Sequence, residues 1–99
     1  MANVKLAHLI YEQLGGKLFA TLTGSKNFTS DDAGLLFEVA RNDAHISKVQ
    51  VSLNASGNYD MYFFKVKGDR WKTVCLHTDV IAEQLRYLFT KTTGLAVNL

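Results

Sequence analysis

Four cationic residues flank the Gly-Asp pair at 68–69, and their spacing suggests a binding chemistry. A two-residue turn at this pair places Lys67 opposite Arg70 and Lys65 opposite Lys72 on neighbouring strands. Directly opposed like charges destabilise a strand pair by roughly 0.2–1 kcal/mol, so the arrangement favours an anion nearby. Cations spaced along a β-ribbon are suited to the backbone phosphates of DNA or RNA.

Lys26 and Lys48 lie in segments that can extend this basic patch. The candidate nucleic-acid-binding residues are therefore Lys65, Lys67, Arg70, Lys72, Lys26 and Lys48. A competing interpretation needs no ligand, because outward lysines on a hairpin also keep sheets from pairing edge to edge. The sequence leaves open whether the basic face binds a ligand or only prevents aggregation.

Aromatic residues concentrate in the same part of the chain, which suggests a second kind of contact. Alternation along the hairpin predicts that Phe64 and Trp71 point into the core beneath the helices and that the basic face points outward. On that outward face Met61 and Phe63 would be exposed beside the cations, as in stacking platforms for single-stranded bases. Such a patch equally suits a homodimer or another protein partner. The candidate protein-interface residues are Tyr59, Met61, Phe63 and Tyr87.

Residue types that catalyse reactions or hold metals are present but poorly arranged. Cys75 and His77 can face the same way on a strand, yet two ligands do not make a metal site. His8 and Glu12 lie one helical turn apart, a spacing typical of a solvated surface pair. The segment around Ser25 matches neither a nucleophile triad nor a phosphate-binding glycine loop. The sequence therefore predicts a protein that is not an enzyme, with no catalytic residues, metal or cofactor.

Length and composition predict one ordinary globular domain. The chain has 99 residues, is 47% hydrophobic and 20% charged, and carries a formal net charge of +2, too little for a histone-like protein. Its one cysteine excludes a disulfide within the chain. No uncharged run approaches the ~20 apolar residues that cross a bilayer, and the amino terminus lacks a secretory pattern. We therefore expect a cytoplasmic protein with no membrane partner.

Hydrophobic periodicity predicts a helix, five strands and a second helix. The first helix is expected to begin after Asn3 and to end at the glycine pair at 15–16. The strands are predicted at residues 17–23, 35–40, 48–53, 59–67 and 70–76. The second helix is expected to start at Thr78 and to end at Gly94. The fold class is therefore α+β, a single domain over residues 1–99 in which both helices pack on one face of an antiparallel β-meander of about five strands.

The segment from position 14 to 28 carries a pair of glycines, an aromatic residue and a Thr-Gly-x-Lys-Asn-Phe motif. In these features the chain resembles a family of small, uncharacterised proteins encoded by bacteriophages and mobile elements. The similarity continues through residues 64–68 and 85–95. The resemblance implies a phage or prophage setting in a bacterial host and adds no catalytic residues. A turn that packs Phe28 against the core also explains most of the motif.

Two kinds of function remain open at this point. The first is a non-enzymatic phage accessory protein that binds DNA or RNA through the basic hairpin, alone or as a homodimer. The second is a protein that binds other proteins, either as a regulator or inhibitor of a host factor or as a virion assembly protein. Binding to DNA or RNA at low salt distinguishes the first kind from the second.

Overall fold

A computed structural model of the chain describes residues 3–95, in which three α-helices accompany one antiparallel sheet. The helices are α1 (Val4–Leu14), α2 (Gly16–Thr23) and α3 (Leu85–Thr93), and a short 3-10 helix, Ala82–Gln84, precedes α3. The strands are β1 (Lys26–Ser30), β2 (Gly34–Glu38), β3 (Lys48–Leu53), β4 (Tyr59–Lys67) and β5 (Arg70–Val80). The predicted α+β class with a five-stranded meander is confirmed.

Caps and glycines set the limits of the first two helices. The Oδ1 atom of Asn3 accepts a hydrogen bond from the backbone N–H of Leu6 at 3.0 Å, which satisfies a free donor in the first turn of α1. Gly15 ends α1 with a φ of 125°. Gly24 ends α2 in the left-handed conformation, with a φ of 66°, which glycine adopts without steric cost. The predicted start and end of the first helix are therefore confirmed.

The strand predicted over residues 17–23 is wrong, because this segment forms α2. Phe19 and Thr23 are four positions apart and both are buried, as on one face of a helix. The Thr23 hydroxyl also donates to the Phe19 carbonyl at 2.8 Å. The remaining strand is β1, in a segment predicted to be a loop, where Asn27 has a φ of 55° and the register with β2 shifts.

The five strands are neighbours in chain order, and each is antiparallel to the next. The turn at 68–69 joins β4 and β5 as predicted, with Lys67 opposite Arg70 and Lys65 opposite Lys72. The register of this pair shifts twice farther along, as it does at β-bulges. The hairpin therefore has the predicted cross-strand charge pairs at its tip and irregular pairing along its length.

The last strand is longer than predicted, which moves the start of the final helix. β5 continues to Val80, so Thr78 lies inside a strand and does not cap a helix. Leu85 and Phe89 are buried along α3, whereas Ile81, which lies within the predicted helix, is exposed ahead of the observed one. Gly94 ends α3 in the left-handed conformation, as predicted.

A hydrophobic core lies between the helices and one face of the sheet. The helices contribute Ile10, Leu14, Phe19, Leu85 and Phe89, and the sheet contributes Leu35, Phe37, Val49, Val51, Met61 and Phe63. Phe19 packs edge-on against Phe37 and Phe89, with ring centroids 5.9 Å and 4.9 Å apart. The helices therefore share one sheet face, as predicted. None of the described helices has the length and apolar character needed to cross a membrane.

Candidate functional site

The helices cover the face of the β4–β5 hairpin that the sequence predicted to be exposed, and they leave the other face open. Met61 and Phe63, predicted to be exposed beside the cations, are completely buried in the core. Phe64 and Trp71, predicted to be buried, lie on the sheet face away from the helices. The strand alternation itself is as expected, but the helices cover the face that carries Met61 and Phe63. The two faces are therefore exchanged.

This exchange corrects most of the predicted protein-interface residues. Tyr59, Met61 and Phe63 cannot serve as exposed anchors, because all three belong to the buried core. Tyr87 is different, since 63% of its surface is exposed on α3. The apolar surface available to a partner is therefore on other residues of the hairpin.

We call the sheet face away from the helices the open face. It carries Lys48, Gln50, Tyr62, Phe64, Val66, Trp71 and Leu76. The rings of Tyr62 and Phe64 are almost parallel, with centroids 6.1 Å apart, and those of Phe64 and Trp71 are 5.3 Å apart. Trp71 and Leu76 are each 46% exposed. The open face therefore carries a row of three neighbouring rings, of which Trp71 is exposed and Tyr62 and Phe64 are partly buried.

A lysine from the neighbouring strand adds a positive charge to this row. Lys48 lies opposite Phe64 in the β3–β4 pair, and its Nζ atom is 4.4 Å from the centroid of the Trp71 ring. This distance is within the range of a cation–π interaction. Glu38 flanks Lys48 from β2. The rings and a cation thus occupy the same face.

The four hairpin cations lie on the reverse of the hairpin. Lys65 and Lys67 continue the alternation that buries Met61 and Phe63, so they are on the helix side of the sheet, and they are exposed. Lys72 and Arg70 lie opposite them and are exposed as well. These cations therefore surround the tip of the hairpin, beyond the buried core.

The structure does not bring Lys26 into this group. Lys26 is on β1, at the other edge of the sheet, and Glu38 lies between it and Lys48. With strands about 4.8 Å apart, three strand spacings separate Lys26 from β4. Of the two lysines predicted to extend the patch, only Lys48 is next to the hairpin.

Acidic groups lie at the opposite end of the sheet. Asn54 donates from Nδ2 to Oδ1 of Asp60 at 3.0 Å and to Oδ1 of Asp79 at 2.9 Å. Asp31 accepts from Nε2 of Gln50 at 2.7 Å at the same end. The carboxylates of Asp31, Asp60 and Asp79 therefore gather at one end of the sheet, whereas the other end carries the hairpin cations together with Glu38 and Asp69.

The groups considered for catalysis or metal binding form two separate contacts. Cys75 Sγ is 3.5 Å from Nε2 of His77, and the same nitrogen is 2.9 Å from Oγ1 of Thr92. His8 and Glu12 are 3.9 Å apart on the surface of α1. Among residues 3–95, no three His, Cys, Asp or Glu side chains are placed to hold a metal ion.

The sequence contained a signal that Tyr62 and Phe64 lie on the open face. The alternation of β3 places Lys48 and Gln50 outward, and a hairpin through the next turn pairs them with Phe64 and Tyr62. Residues directly opposite each other in an antiparallel pair share a face. The outward side of β3 therefore indicates that both rings are outward, independently of the β4–β5 turn.

Comparison of the chain with protein-family models, curated proteins and solved structures gives no significant match. The resemblance to phage-encoded proteins therefore stays a prediction. Any functional assignment rests on the geometry of the open face and the hairpin.

Proposed function

We propose that this protein binds single-stranded nucleic acid and is not an enzyme. Bases would stack on the open face, and the hairpin cations would contact phosphates at the tip of the β4–β5 hairpin. The observation that carries the proposal is the row of rings formed by Tyr62, Phe64 and the exposed Trp71 on a sheet face that the helices leave uncovered. The predicted phage setting would place this activity in the cytoplasm of a bacterial host.

Stacking energies support this use of the rings. Each base stacked on an aromatic side chain contributes about 1–3 kcal/mol, largely independent of base identity. Exposed aromatic side chains on antiparallel sheets serve this purpose in several unrelated RNA-binding modules, an analogy at the level of fold. The proposal therefore predicts tolerance of sequence and a preference for unpaired strands.

The distribution of charge supports a particular location for the bound nucleic acid. Lys48 lies beside the rings, and Lys65 and Lys72 lie near the tip of the same hairpin on its reverse face. Asp60 and Asp79 at the far end of the sheet would repel a phosphate backbone. A bound strand would therefore cross the basic end of the open face.

Trp71 provides a direct test, because it is the only tryptophan in the chain. Titration of a homopolymeric oligonucleotide at low salt should quench its emission. Exchange of both Lys67 and Arg70 for glutamate should abolish binding. Neutralising each phosphate-contacting cation should reduce the slope of log K against log salt by about 0.7.

The matched control is the double change Lys5→Glu and Lys17→Glu, which removes the same charge from exposed positions on α1 and α2. This variant should keep most of the affinity. A wild-type protein that shows neither fluorescence change nor gel shift at low salt would contradict the proposal. Equal losses in the control and hairpin variants would show only a dependence on net charge.

A second candidate function is binding to another protein, as a regulator, an inhibitor or a virion component. The exposure of Trp71, Val74 and Leu76 on β5, and of Tyr87 on α3, favours it. Apolar side chains exposed together often mark protein interfaces. If the open face is covered by a second copy, Trp71 should become shielded from a neutral quencher as protein concentration rises, with a matching increase in mass by light scattering.

A further inference from the structure

A basic pocket lies beside the hairpin, outside the residues considered so far. It has a volume of about 310 Å³ and lies between the loop at 39–47 and the end of β4. Arg41 and His45 line it from the loop, and Lys65 lines it from β4. Ligand pockets span about 300–1,000 Å³, so this one suits a single small group better than a large cofactor.

The loop that forms the pocket is held by specific hydrogen bonds. Asn42 donates from Nδ2 to the carbonyls of Ala40 and Ile46 at 2.9 Å and 2.8 Å, and its Oδ1 accepts from the N–H of Ile46 at 3.0 Å. The Ser47 hydroxyl accepts from the N–H of Val66 on β4 at 3.2 Å. The two walls are thus tied together before any ligand arrives, which lowers the entropy lost on binding.

The backbone of His45 also indicates that the loop at 39–47 has one defined conformation. His45 has a φ of 59°, in the left-handed region that side chains other than glycine seldom adopt. Its N–H donates to the Asn42 carbonyl at 3.1 Å. Side chains seldom adopt this conformation because it is strained, and in it His45 lies along the pocket wall.

The charges around the pocket define its ligand. Three basic side chains line it, and Lys72 lies directly opposite Lys65 on β5. None of the described side chains that line the pocket is a carboxylate. Arginine presents a planar fork and lysine a compact charge, both suited to phosphate oxygens. A phosphomonoester carries close to two negative charges at neutral pH, which is more than a backbone phosphate carries. It therefore offsets more of the repulsion among these basic side chains.

We propose that the pocket formed by Arg41, His45 and Lys65 binds a phosphomonoester group. If that group is the terminal phosphate of a bound strand, the inference rests on the proposed nucleic-acid function. If it belongs to a free mononucleotide, the pocket acts independently of the open face. Both sources share the same chemistry in the pocket.

The first measurement uses inorganic phosphate as the probe. In two-dimensional NMR, phosphate should shift the amide signals of Asn42 and His45, with a Kd of about 1 mM. Arg41→Gln should weaken binding by about tenfold, as expected for loss of a charged hydrogen bond. Lys26→Gln, a loss of one cation on the far edge strand, should leave it unchanged. Failure of phosphate to shift the loop amides, in a wild-type protein that is folded, would overturn the inference.

The second measurement identifies the source of the phosphate. A terminally phosphorylated oligonucleotide is compared with the same oligonucleotide ending in a hydroxyl and with a nucleoside monophosphate. A gain of about tenfold from the terminal phosphate, lost in Arg41→Gln while hydroxyl-strand binding persists, supports the strand end. Equal affinities for the monophosphate and the phosphorylated strand support a free nucleotide. Phosphate binding without binding of either oligonucleotide would refute the proposed function and leave the pocket standing.

Discussion

The Nζ atom of Lys48 lies 4.4 Å from the centroid of the Trp71 ring. Lys48 begins β3 and Trp71 lies near the start of β5, so the contact spans the intervening strand β4. The contact holds one side of the indole against a positive charge, while 46% of the surface of Trp71 remains exposed. The accessible part of the indole is therefore held in a fixed orientation on the open face.

Lys48→Met should destabilise the fold and change the surroundings of Trp71. The substitution keeps an apolar stem and removes the charge, so we expect a loss of about 0.5–1 kcal/mol from the cation–π contact. Iodide should also quench Trp71 less effectively, because the nearby cation no longer attracts the anion. Urea unfolding and iodide quenching measure the two effects.

Lys26→Met is the matched control for this change, since Lys26 lies on the same sheet at the opposite edge. It should leave iodide quenching of Trp71 unaltered. A fall in quenching by neutral acrylamide in Lys48→Met would mean that the ring has moved, and the electrostatic explanation would then be wrong.

Gly34→Ala should be severely destabilising. A Cβ atom at Gly34 would lie 1.9 Å from the carbonyl oxygen of Val51, an overlap that requires the β2–β3 pair to separate. We expect a cost of about 3 kcal/mol or more, or no folded protein. Gly57→Ala has open space around the new methyl and a φ of 84°, so it should cost only about 1–2 kcal/mol. Similar midpoints of urea unfolding for the two variants would contradict this steric account.

Stability at alkaline pH should depend on Tyr59. Burial raises the pKa of Tyr59 above its ordinary value of 10.0, and the hydrogen bond to Gln13 offsets part of that rise. The folded chain therefore holds the phenolic proton more tightly than the unfolded chain does. This contribution is fully present below the unfolded pKa and is lost as pH rises through the higher folded pKa.

Urea unfolding of wild type and Tyr59→Phe across alkaline pH measures this effect. The wild type should lose stability more steeply above about pH 10 than the variant. Tyr87→Phe, at an exposed position, should follow the wild type. Parallel pH profiles for wild type and Tyr59→Phe would show that burial of the Tyr59 phenol does not affect folding.

Asn42→Ala should loosen the loop at 39–47. The Asn42 side chain makes three hydrogen bonds to backbone groups of Ala40 and Ile46, so its removal leaves partly buried donors and acceptors without partners. We expect a loss of about 1–3 kcal/mol. Thr21→Ala removes an exposed side-chain bond on α2 and should change stability by less than about 0.5 kcal/mol. Unchanged amide exchange at His45 in Asn42→Ala would show that the loop is held by other contacts.

Local chemistry made the ends of elements and the hairpin register predictable. The Asn3 cap, the glycines at 15–16 and the turn at 68–69 act through neighbouring atoms, and the structure has each as predicted. Their effects depend on a few consecutive residues. Sequence was sufficient for these three features, whereas the helix cap predicted at Thr78 was overridden by the pairing of β5 with β4.

Features that depend on distant packing were not predictable in the same way. Residues 17–23 alternate between apolar and polar side chains, as a strand does. Phe19 and Thr23 are also four positions apart, as on one face of a helix, and packing of Phe19 against Phe89 favours the helix. β1 was missed because its five residues include the left-handed Asn27 and an irregular register. A short strand of this kind gains its pairing from β2 rather than from its own pattern.

The orientation of the hairpin shows the same limit for the candidate site. Alternation correctly separates Phe63 from Phe64, but both faces carry aromatic residues, so hydrophobicity alone does not select the inner one. The choice depends on where the helices lie. Reading β4 against β3, whose Lys48 is outward, would have selected the correct face.

The hairpin tip also has a mechanical consequence. Residues 67–70 are all exposed and lie outside the buried cluster, so cross-strand hydrogen bonds hold this tip with little help from the core. Segments of this kind open locally at a free energy well below that of global unfolding. The hairpin tip therefore opens more readily than the sheet behind it, and it carries Lys67 and Arg70. Such a tip can bend toward an approaching partner while the rest of the sheet keeps its shape.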